Sequence, residues 1–187
     1  MAFPLPRSSP VPAKTALRSG RKPSRAPAFR TYRSDDIAGV ELAGAIKNVV
    51  AIAAGAAAGM GFGSNSIASI MTRGLAEMTR LGVAAGANPM TFSGLAGVGD
   101  LAATCFSPLS RNHRLGELLA AGHDASTALA EIGEAVEGAS TAPIAVELGH
   151  RHGVDMPIAE QVAAVVAGER DVPAAMTALL SRALKPE

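Results

Sequence analysis

From residue 35 onward, apolar positions recur with a helical period, and no segment sustains the period of two that marks a half-buried strand. Glycines and capping residues divide this part of the chain into segments. We therefore predict an all-α domain with a loop or tight turn at Gly97–Asp100. The predicted helices cover Ile37–Ala58, Ser64 or Asn65 to about Gly82 or Gly86, Pro89 to about Gly94, Ser110–Gly122, Asp124 to about Gly133, Thr141–His152, Pro157–Ala167 and Pro173–Leu184.

One charged residue interrupts the most apolar of these helices. Lys47 lies in the middle of Ile37–Ala58, a run made almost entirely of small and apolar residues. An ammonium group on a buried helix face is unfavourable unless it is paired or exchanges its proton, and proton exchange near pH 7 suits acid–base chemistry. The alternative is a lysine whose stem packs while its charge reaches water. The helical stripe around it comprises Val40, Ala43, Gly44, Val50, Ala51 and Ala54.

The composition supports the fold class. Aromatic residues make up 3% of the 187 residues, and small apolar residues dominate. Because strands favour aromatic and β-branched residues, this composition favours close-packed helices. The single cysteine, Cys105, cannot form an internal disulfide and matches no metal-ligand spacing, so we expect a buried, inert thiol.

The net charge of +1 conceals two different segments. Residues 1–34 hold eight basic residues, six prolines and no acidic residue, whereas residues 35–187 hold nine basic and sixteen acidic residues, a net charge of −7. A domain of that charge is a poor candidate for sequence-independent nucleic-acid binding. The basic head, residues 1–28, is expected to be mostly disordered. Three interpretations of this head are open: a transit peptide, a tail that binds nucleic acid or a membrane surface, and a leader without function. We favour the leader without function.

The most apolar stretch, residues 48–63, does not predict a membrane span. It has 16 residues, fewer than the ~20 that a spanning helix needs, and it is rich in Ala and Gly. Lys47 and Glu41 lie close by. We expect a buried helix of a soluble domain.

Two short patterns carry weaker signals. Gly97-Val-Gly-Asp-Leu-Ala102 fits the dinucleotide fingerprint G-x-G-x-x-G/A, but that fingerprint needs a preceding strand and a βαβ unit, and helical segments flank it here. We expect instead that these glycines allow close backbone approach and orient Asp100. Ser110, Arg111 and Asn112 open a predicted helix, which makes either an anion site suited to phosphate or simply a capped helix.

The histidines and glutamates have plainer interpretations. The four histidines do not have the spacing of a metal site, and solvated positions near helix ends explain them better. Glu131 and Glu134 fit a solvated helix face. Glu137 precedes Gly138 near a helix break, where a side chain is able to face a cleft. No metal site is predicted.

Six motifs follow one another between Gly39 and Pro157, and the resemblance that they carry covers about residues 29–184. They are Gly39-Val-Glu-Leu-Ala-Gly-Ala-Ile-Lys-Asn48, Thr72-Arg-Gly-Leu-Ala-Glu-Met78, Gly94-Leu-Ala-Gly-Val-Gly-Asp-Leu101, Leu109-Ser-Arg-Asn112, Val136-Glu-Gly138 and Gly153-Val-Asp-Met-Pro157. In order, spacing and identity they closely resemble the C-terminal domain of the bacterial glycerol-3-phosphate dehydrogenase (NAD(P)+) family.

The resemblance implies an all-α substrate domain, similar to the C-terminal helical domain of 6-phosphogluconate dehydrogenase, that follows an N-terminal Rossmann domain in the family. It implies reversible hydride transfer between NAD(P)H and dihydroxyacetone phosphate, giving sn-glycerol 3-phosphate for phospholipid synthesis. It also implies a cytoplasmic homodimer that binds neither nucleic acid nor a membrane.

The resemblance also implies roles for individual residues. Lys47 matches the family's proton acceptor, and Asp100 matches the acidic residue that contacts substrate hydroxyls or orients the lysine. The implied substrate-binding residues are Lys47, Asp100, Ser110, Arg111 and Asn112, and the implied cofactor-binding residues are Arg111, Ala135 and Glu137.

One part of the family pattern is not found. No strand-linked glycine fingerprint occurs in the chain, and the basic head stands where the cofactor domain is expected. We therefore expect a fragment in which residues 29–187 form the substrate domain, inactive alone and prone to self-association through its exposed cofactor-facing surface. The alternatives are a non-catalytic remnant serving dimerisation or phosphate-ligand binding, and a binding protein that uses its basic tail.

Overall fold

The computed structural model describes residues 32–181 of the chain. Residues 36–181 belong to one compact unit, and residues 32–35, which lie outside that unit, are exposed and outside any helix. The predicted leader at residues 1–28 and the domain boundary predicted after it lie outside the described residues. The same holds for the last three positions of the helix predicted to end at Leu184.

Within residues 32–181 the chain forms nine α-helices and one π-helical turn with no strand, so the predicted all-α class is confirmed. The helices are α1 (Ile37–Gly59), α2 (Ser64–Ala84), α3 (Pro89–Phe92), α4 (Asp100–Phe106), α5 (Arg111–Ala120), α6 (Ala125–Ile132), α7 (Glu137–His152), α8 (Pro157–Val166) and α9 (Val172–Leu180), and the π-helical turn spans Leu95–Gly99.

Helix α1 is the centre of the compact unit. The Asp36 carboxylate caps its start by accepting a hydrogen bond from the Gly39 N–H at 3.0 Å. Helix α1 contacts α2, α4, α5, α7 and α8. By length and composition it is able to cross a membrane, but 56% of its apolar 18-residue window is buried inside the unit. Because the core helix of a soluble protein passes the same test, this is weak evidence for a membrane span.

Small residues let α5 lie directly against α1. A Cβ atom at Gly55 would lie 1.9 Å from the carbonyl oxygen of His113, and one at Gly116 would lie 2.1 Å from the carbonyl oxygen of Ile52. Neither position accepts a side chain, because the atoms in the way belong to the backbone of the other helix. This contact fixes the first turn of α5 against α1, next to the residues that follow Lys47.

The region before α4 differs from the prediction. The sequence predicts a loop or tight turn at Gly97–Asp100 and no helix between Gly94 and Ser110, but the chain forms the π-helical turn and then α4. Gly97 permits this arrangement, because a Cβ atom there would lie 2.1 Å from the carbonyl oxygen of Phe92. Gly97 therefore allows close packing, and Gly97 and Gly99 lie within regular structure and do not interrupt it.

Two helix starts also differ from the prediction. Helix α2 has Gly63 as its cap, and Ser64, a predicted cap, is its first helical residue. Helix α7 begins at Glu137 and not at Thr141. Its first turn is stabilised from another helix, since the Gly138 N–H donates to a side-chain oxygen on α5 at 2.9 Å.

A buried carboxylate joins α2 to α8. Glu77 is 3% exposed, and its Oε1 accepts a hydrogen bond from the Ile158 N–H at 2.9 Å. The N-cap residue of α8, Met156, provides no side-chain acceptor. The Glu77 carboxylate on α2 therefore accepts the hydrogen bond from the start of α8 that an N-cap side chain would otherwise accept. Burial raises the pKa of Glu77 to about 7, although backbone hydrogen bonds oppose this shift.

The raised pKa of Glu77 predicts pH-dependent stability. The carboxyl group titrates near 4.5 in the unfolded chain and near 7 in the folded chain, so the folded state holds an extra proton between these values. Its stabilising contribution is complete below pH 4.5 and is lost as the pH rises through about 7. Glu77→Gln removes this titration. Between pH 5 and pH 8, the free energy of unfolding of the unmodified chain should therefore fall by roughly 2 kcal/mol more than that of Glu77→Gln.

Urea unfolding across this pH range measures the difference. Glu41→Gln, at an exposed position of α1, is the control and should follow the unmodified chain. Parallel pH profiles for Glu77→Gln and the unmodified chain would show that Glu77 does not titrate in this range.

Candidate active site

Lys47 and Asp100 meet across two helices. Lys47 projects from the middle of α1, and Asp100 is the first residue of α4. The Lys47 Nζ lies 2.5 Å from the Asp100 Oδ2, and the two side chains are 19% and 44% exposed. The partly buried ammonium is thus paired with a carboxylate, which offsets the cost of its burial. The pair remains accessible to a small molecule from the Asp100 side.

The backbone before α4 orients Asp100. Asp100 lies where the π-helical turn runs into α4, and its backbone N–H donates to the Leu95 carbonyl oxygen of that turn. The Thr104 hydroxyl, one turn later, donates to the Asp100 carbonyl oxygen at 2.6 Å and lies 3.5 Å from Oδ1. Gly97 packs against the backbone of Phe92 just before this turn. Gly97 shows the close backbone approach predicted for both glycines, whereas a Cβ atom at Gly99 would meet no atom closer than 3.5 Å.

The first turn of α5 carries three predicted site residues. Ser110 is the N-cap, and its hydroxyl accepts a hydrogen bond from the His113 N–H at 3.3 Å, so the predicted cap is confirmed. The Arg111 side chain is 44% exposed and pairs with Glu134 at 3.1 Å. Asn112 is buried. A helix start with free N–H groups, a guanidinium and an amide has the chemistry of an anion site.

Asn48 links α1 to the first turns of α5 and α7. It is 6% exposed, and its Oδ1 accepts a hydrogen bond from the Asn112 Nδ2 at 3.0 Å. Its Nδ2 donates to Glu137 Oε2 at 3.1 Å and to the Gly44 carbonyl at 3.2 Å. The Asn112 Oδ1 in turn accepts the Gly138 N–H. One buried amide therefore fixes a predicted substrate ligand and a predicted cofactor ligand.

Ala135 and Glu137 lie at the start of α7. Both are exposed, whereas Val136 between them is buried. Gly138 lets this turn approach Asn48, because a Cβ atom at position 138 would lie 2.6 Å from the Asn48 carbonyl oxygen. The structure therefore brings Glu137 next to the residue that follows Lys47, and Ala135 lies two residues before Glu137 at the same exposed edge.

Asn48 is a site residue that was not predicted from the sequence, although it lies in the first of the six motifs and next to Lys47. The available signal was an amide inside an apolar helix, since a buried amide requires hydrogen-bond partners. Those partners are 64 and 89 residues away in the sequence, so their identity is visible only in the fold.

The cysteine and the histidines are not part of the hydrogen-bond network around Asn48. Cys105 is fully buried, and burial raises the pKa of its thiol to about 12, which confirms the predicted buried, inert thiol. His150 and His152 are exposed at the end of α7, as expected, but His113 is buried and lies 3.6 Å from Glu117. Among residues 32–181, no three His, Cys, Asp or Glu side chains are grouped as metal ligands would be.

Comparisons with known proteins agree with this arrangement. Residues 36–177 match the family described as the NAD-dependent glycerol-3-phosphate dehydrogenase C-terminus. A glycerol-3-phosphate dehydrogenase (NAD(P)+) of Streptomyces coelicolor is 48% identical over 94% of this chain and 52% of the relative. The protein of that name from Anaeromyxobacter sp. is 54% identical over 85% of this chain and 48% of the relative. The chain thus spans about half the length of the curated relatives it matches.

Solved structures show the same similarity. The crystal structure of glycerol-3-phosphate dehydrogenase from Coxiella burnetii has a TM-score of 0.79 and 42% identity, covering 82% of this chain and 47% of that chain. The glycerol-3-phosphate dehydrogenase structure from Saccharomyces cerevisiae has a TM-score of 0.75 and 31% identity, covering 83% of this chain and 46% of that chain. The resemblance carried by the six motifs is confirmed.

Replacement of Asn48 tests the hydrogen-bond network. Asn48→Leu keeps a similar side-chain volume but removes the partner of the buried Asn112 amide. Because an unsatisfied buried polar group costs about 1–3 kcal/mol, we expect the free energy of unfolding to fall by about 2 kcal/mol. Asn65→Leu, at an exposed position of α2, should change it by less than about 0.5 kcal/mol. Equal effects of the two substitutions in urea unfolding would mean that the network contributes nothing.

Proposed function

Because the chain belongs to the C-terminal domain family of NAD-dependent glycerol-3-phosphate dehydrogenases, we propose that it is the substrate-binding half of an oxidoreductase. The enzyme interconverts dihydroxyacetone phosphate and sn-glycerol 3-phosphate with NAD(P)H, and the product serves phospholipid synthesis. The contact of 2.5 Å between Lys47 and Asp100 carries this proposal. Through Asn48, this proton-transfer pair is tied to a helix start suited to phosphate.

The first turn of α5 binds the substrate phosphate in this proposal. Its free N–H groups and the positive end of its dipole attract an anion. Among residues 32–181, Arg111 pairs only with the exposed Glu134 carboxylate, and such surface pairs contribute little, so a phosphate is able to take the place of Glu134. Asn112 donates one amide hydrogen to Asn48, which leaves the second for the ligand. Ser110 adds a hydroxyl at the cap.

Lys47 transfers the proton. During reduction, negative charge grows on the carbonyl oxygen of dihydroxyacetone phosphate, and the Lys47 ammonium donates a proton to that oxygen. During oxidation, the neutral amine removes the hydroxyl proton of sn-glycerol 3-phosphate. Asp100 directs the ammonium and stabilises its charge, and its solvent-accessible carboxylate is placed to accept a hydrogen bond from a substrate hydroxyl.

The exposed start of α7 fits the nicotinamide end of the cofactor. Ala135 offers backbone groups there, and Glu137 has a second carboxylate oxygen besides the one that contacts Asn48. Arg111 adds a cation that suits the negative charge of NAD(P)H. When bound, the cofactor supplies or accepts the hydride. We expect its main binding region outside residues 36–177, so the activity of this chain depends on such a region.

Assembly and location are part of the same proposal. Large apolar side chains around α4 are exposed, with Leu95 at 65%, Phe106 at 47% and Leu109 at 87%. Exposed apolar surface of this kind supports contact with a second copy or with a cofactor-binding region. We propose a cytoplasmic homodimer that binds neither nucleic acid nor a membrane.

A chimera tests the proposed reaction. Residues 36–177 replace the matching C-terminal part of the Streptomyces coelicolor relative, and oxidation of NADH and NADPH is followed with dihydroxyacetone phosphate. We expect turnover, and we expect Lys47→Ala to lower kcat by about 10²–10⁴-fold, because general acid–base catalysis contributes that much. Arg80→Gln, at an exposed position of α2, should leave kcat unchanged.

The 187-residue chain alone is assayed in parallel and should show no turnover. Turnover that survives Lys47→Ala would place proton transfer on another residue. A folded chimera that binds sn-glycerol 3-phosphate without turnover would favour a non-catalytic remnant over the proposed enzyme.

A further inference from the structure

An apolar cavity lies near the C-terminal end of α1, away from Lys47. It has a volume of about 140 Å³ and lies between α1, α2, α8 and α9. Its apolar lining includes Ala57, Ile70, Ile158, Met176 and Leu179. A cavity of about 150 Å³ with such a lining is large enough to hold benzene, so this space accepts an apolar group of about six carbons.

The charge among the described residues that line this cavity is positive and comes from Arg73. Arg73, Ser66 and Ser69 project from the first half of α2, and none of the described residues lining the cavity is acidic. Arg73 is exposed and takes part in no ion pair within residues 32–181. The motif Thr72-Arg-Gly-Leu-Ala-Glu-Met78 has no part in the proposed active site, so the position of Arg73 is unexplained by that site.

The cavity is separate from the candidate active site. Lys47 and Ala57 are ten residues apart on α1, which corresponds to about 15 Å along the helix. The residues that line the cavity contribute nothing to the network around Asn48. A ligand here would therefore occupy a second site, and its binding does not rest on the proposed reaction.

We propose that this cavity binds a small amphiphilic anion, with an alkyl chain of about six carbons between the helices and an anionic head group on Arg73. The apolar lining selects for the alkyl chain through burial of its methylene groups. The guanidinium and the two serine hydroxyls select for an anionic oxygen group over a cation. Carboxylates and alkyl phosphates share this chemistry, and the test separates them.

Titration of the full 187-residue chain with a series of ligands, followed by amide NMR, tests the proposal. The ligands are butanoate, hexanoate, octanoate, hexyl phosphate, hexanol and hexylammonium. We expect saturable shifts at Ile70, Ile158 and Leu179 with hexanoate or hexyl phosphate, whichever head group fits. Affinity should rise about fourfold per methylene up to hexanoate and then level off as the cavity fills. Hexanol should bind at least about tenfold more weakly, and hexylammonium should not bind.

Substitutions locate the binding. Arg73→Gln should weaken binding of the anion about tenfold, while Arg80→Gln on the same helix should not, because Arg80 does not line the cavity. Ser69→Trp, at an exposed position of the lining, should block entry without disturbing the core. Lys47→Met should leave binding unchanged, which separates this site from the proposed active site.

Several results would overturn the proposal. No saturable binding of any anion would do so, as would an affinity for hexanol equal to that of the tighter-binding of hexanoate and hexyl phosphate. Unchanged binding in both Arg73→Gln and Ser69→Trp would place the ligand elsewhere. A change of oligomeric state in Ser69→Trp, measured by sedimentation velocity, would show that a second copy of the chain covers this surface instead.

Discussion

The partly buried ammonium of Lys47 needs a carboxylate partner, and the packing around α1 provides one. A charge that is mostly removed from water is unfavourable alone, so the contact with Asp100 constrains where α4 begins. Gly97 meets this constraint, because it lets the turn before α4 pack against the backbone of Phe92. Helix packing therefore holds the proposed proton-transfer group in place.

The same helix also fixes the other half of the site. Asn48 follows Lys47 directly, and it joins Asn112 on α5 to Glu137 on α7. The close approach of α1 and α5 at Gly55 sets the distance between the side chains of Asn48 and Asn112. The proposed proton-transfer group is Lys47, and the proposed phosphate-binding turn of α5 is held by its neighbour Asn48. The backbone of one buried helix therefore sets the distance between the two functions.

Local signals predicted most helices, because a cap such as Ser110 depends on residues only a few positions away. The motifs identified the family and its expected site residues in the same way, residue by residue. Contacts between distant segments were beyond such signals. Helix α4 was missed because it packs on α1, which is far from it in the sequence, and Asn48 was missed because its partner Asn112 is brought to it only by the packing of α5 on α1.

A double-mutant cycle on Lys47 and Asp100 tests the central claim most directly. Lys47→Met keeps the apolar stem, Asp100→Asn keeps the shape of the carboxylate without its charge, and the double variant removes both charges. Unfolding free energies of the four chains at low ionic strength give the coupling energy between the two residues. We predict a favourable coupling of about 1 kcal/mol, reduced by the solvent exposure of Asp100. Additive effects of the two substitutions would contradict the ion pair on which the proposed site depends.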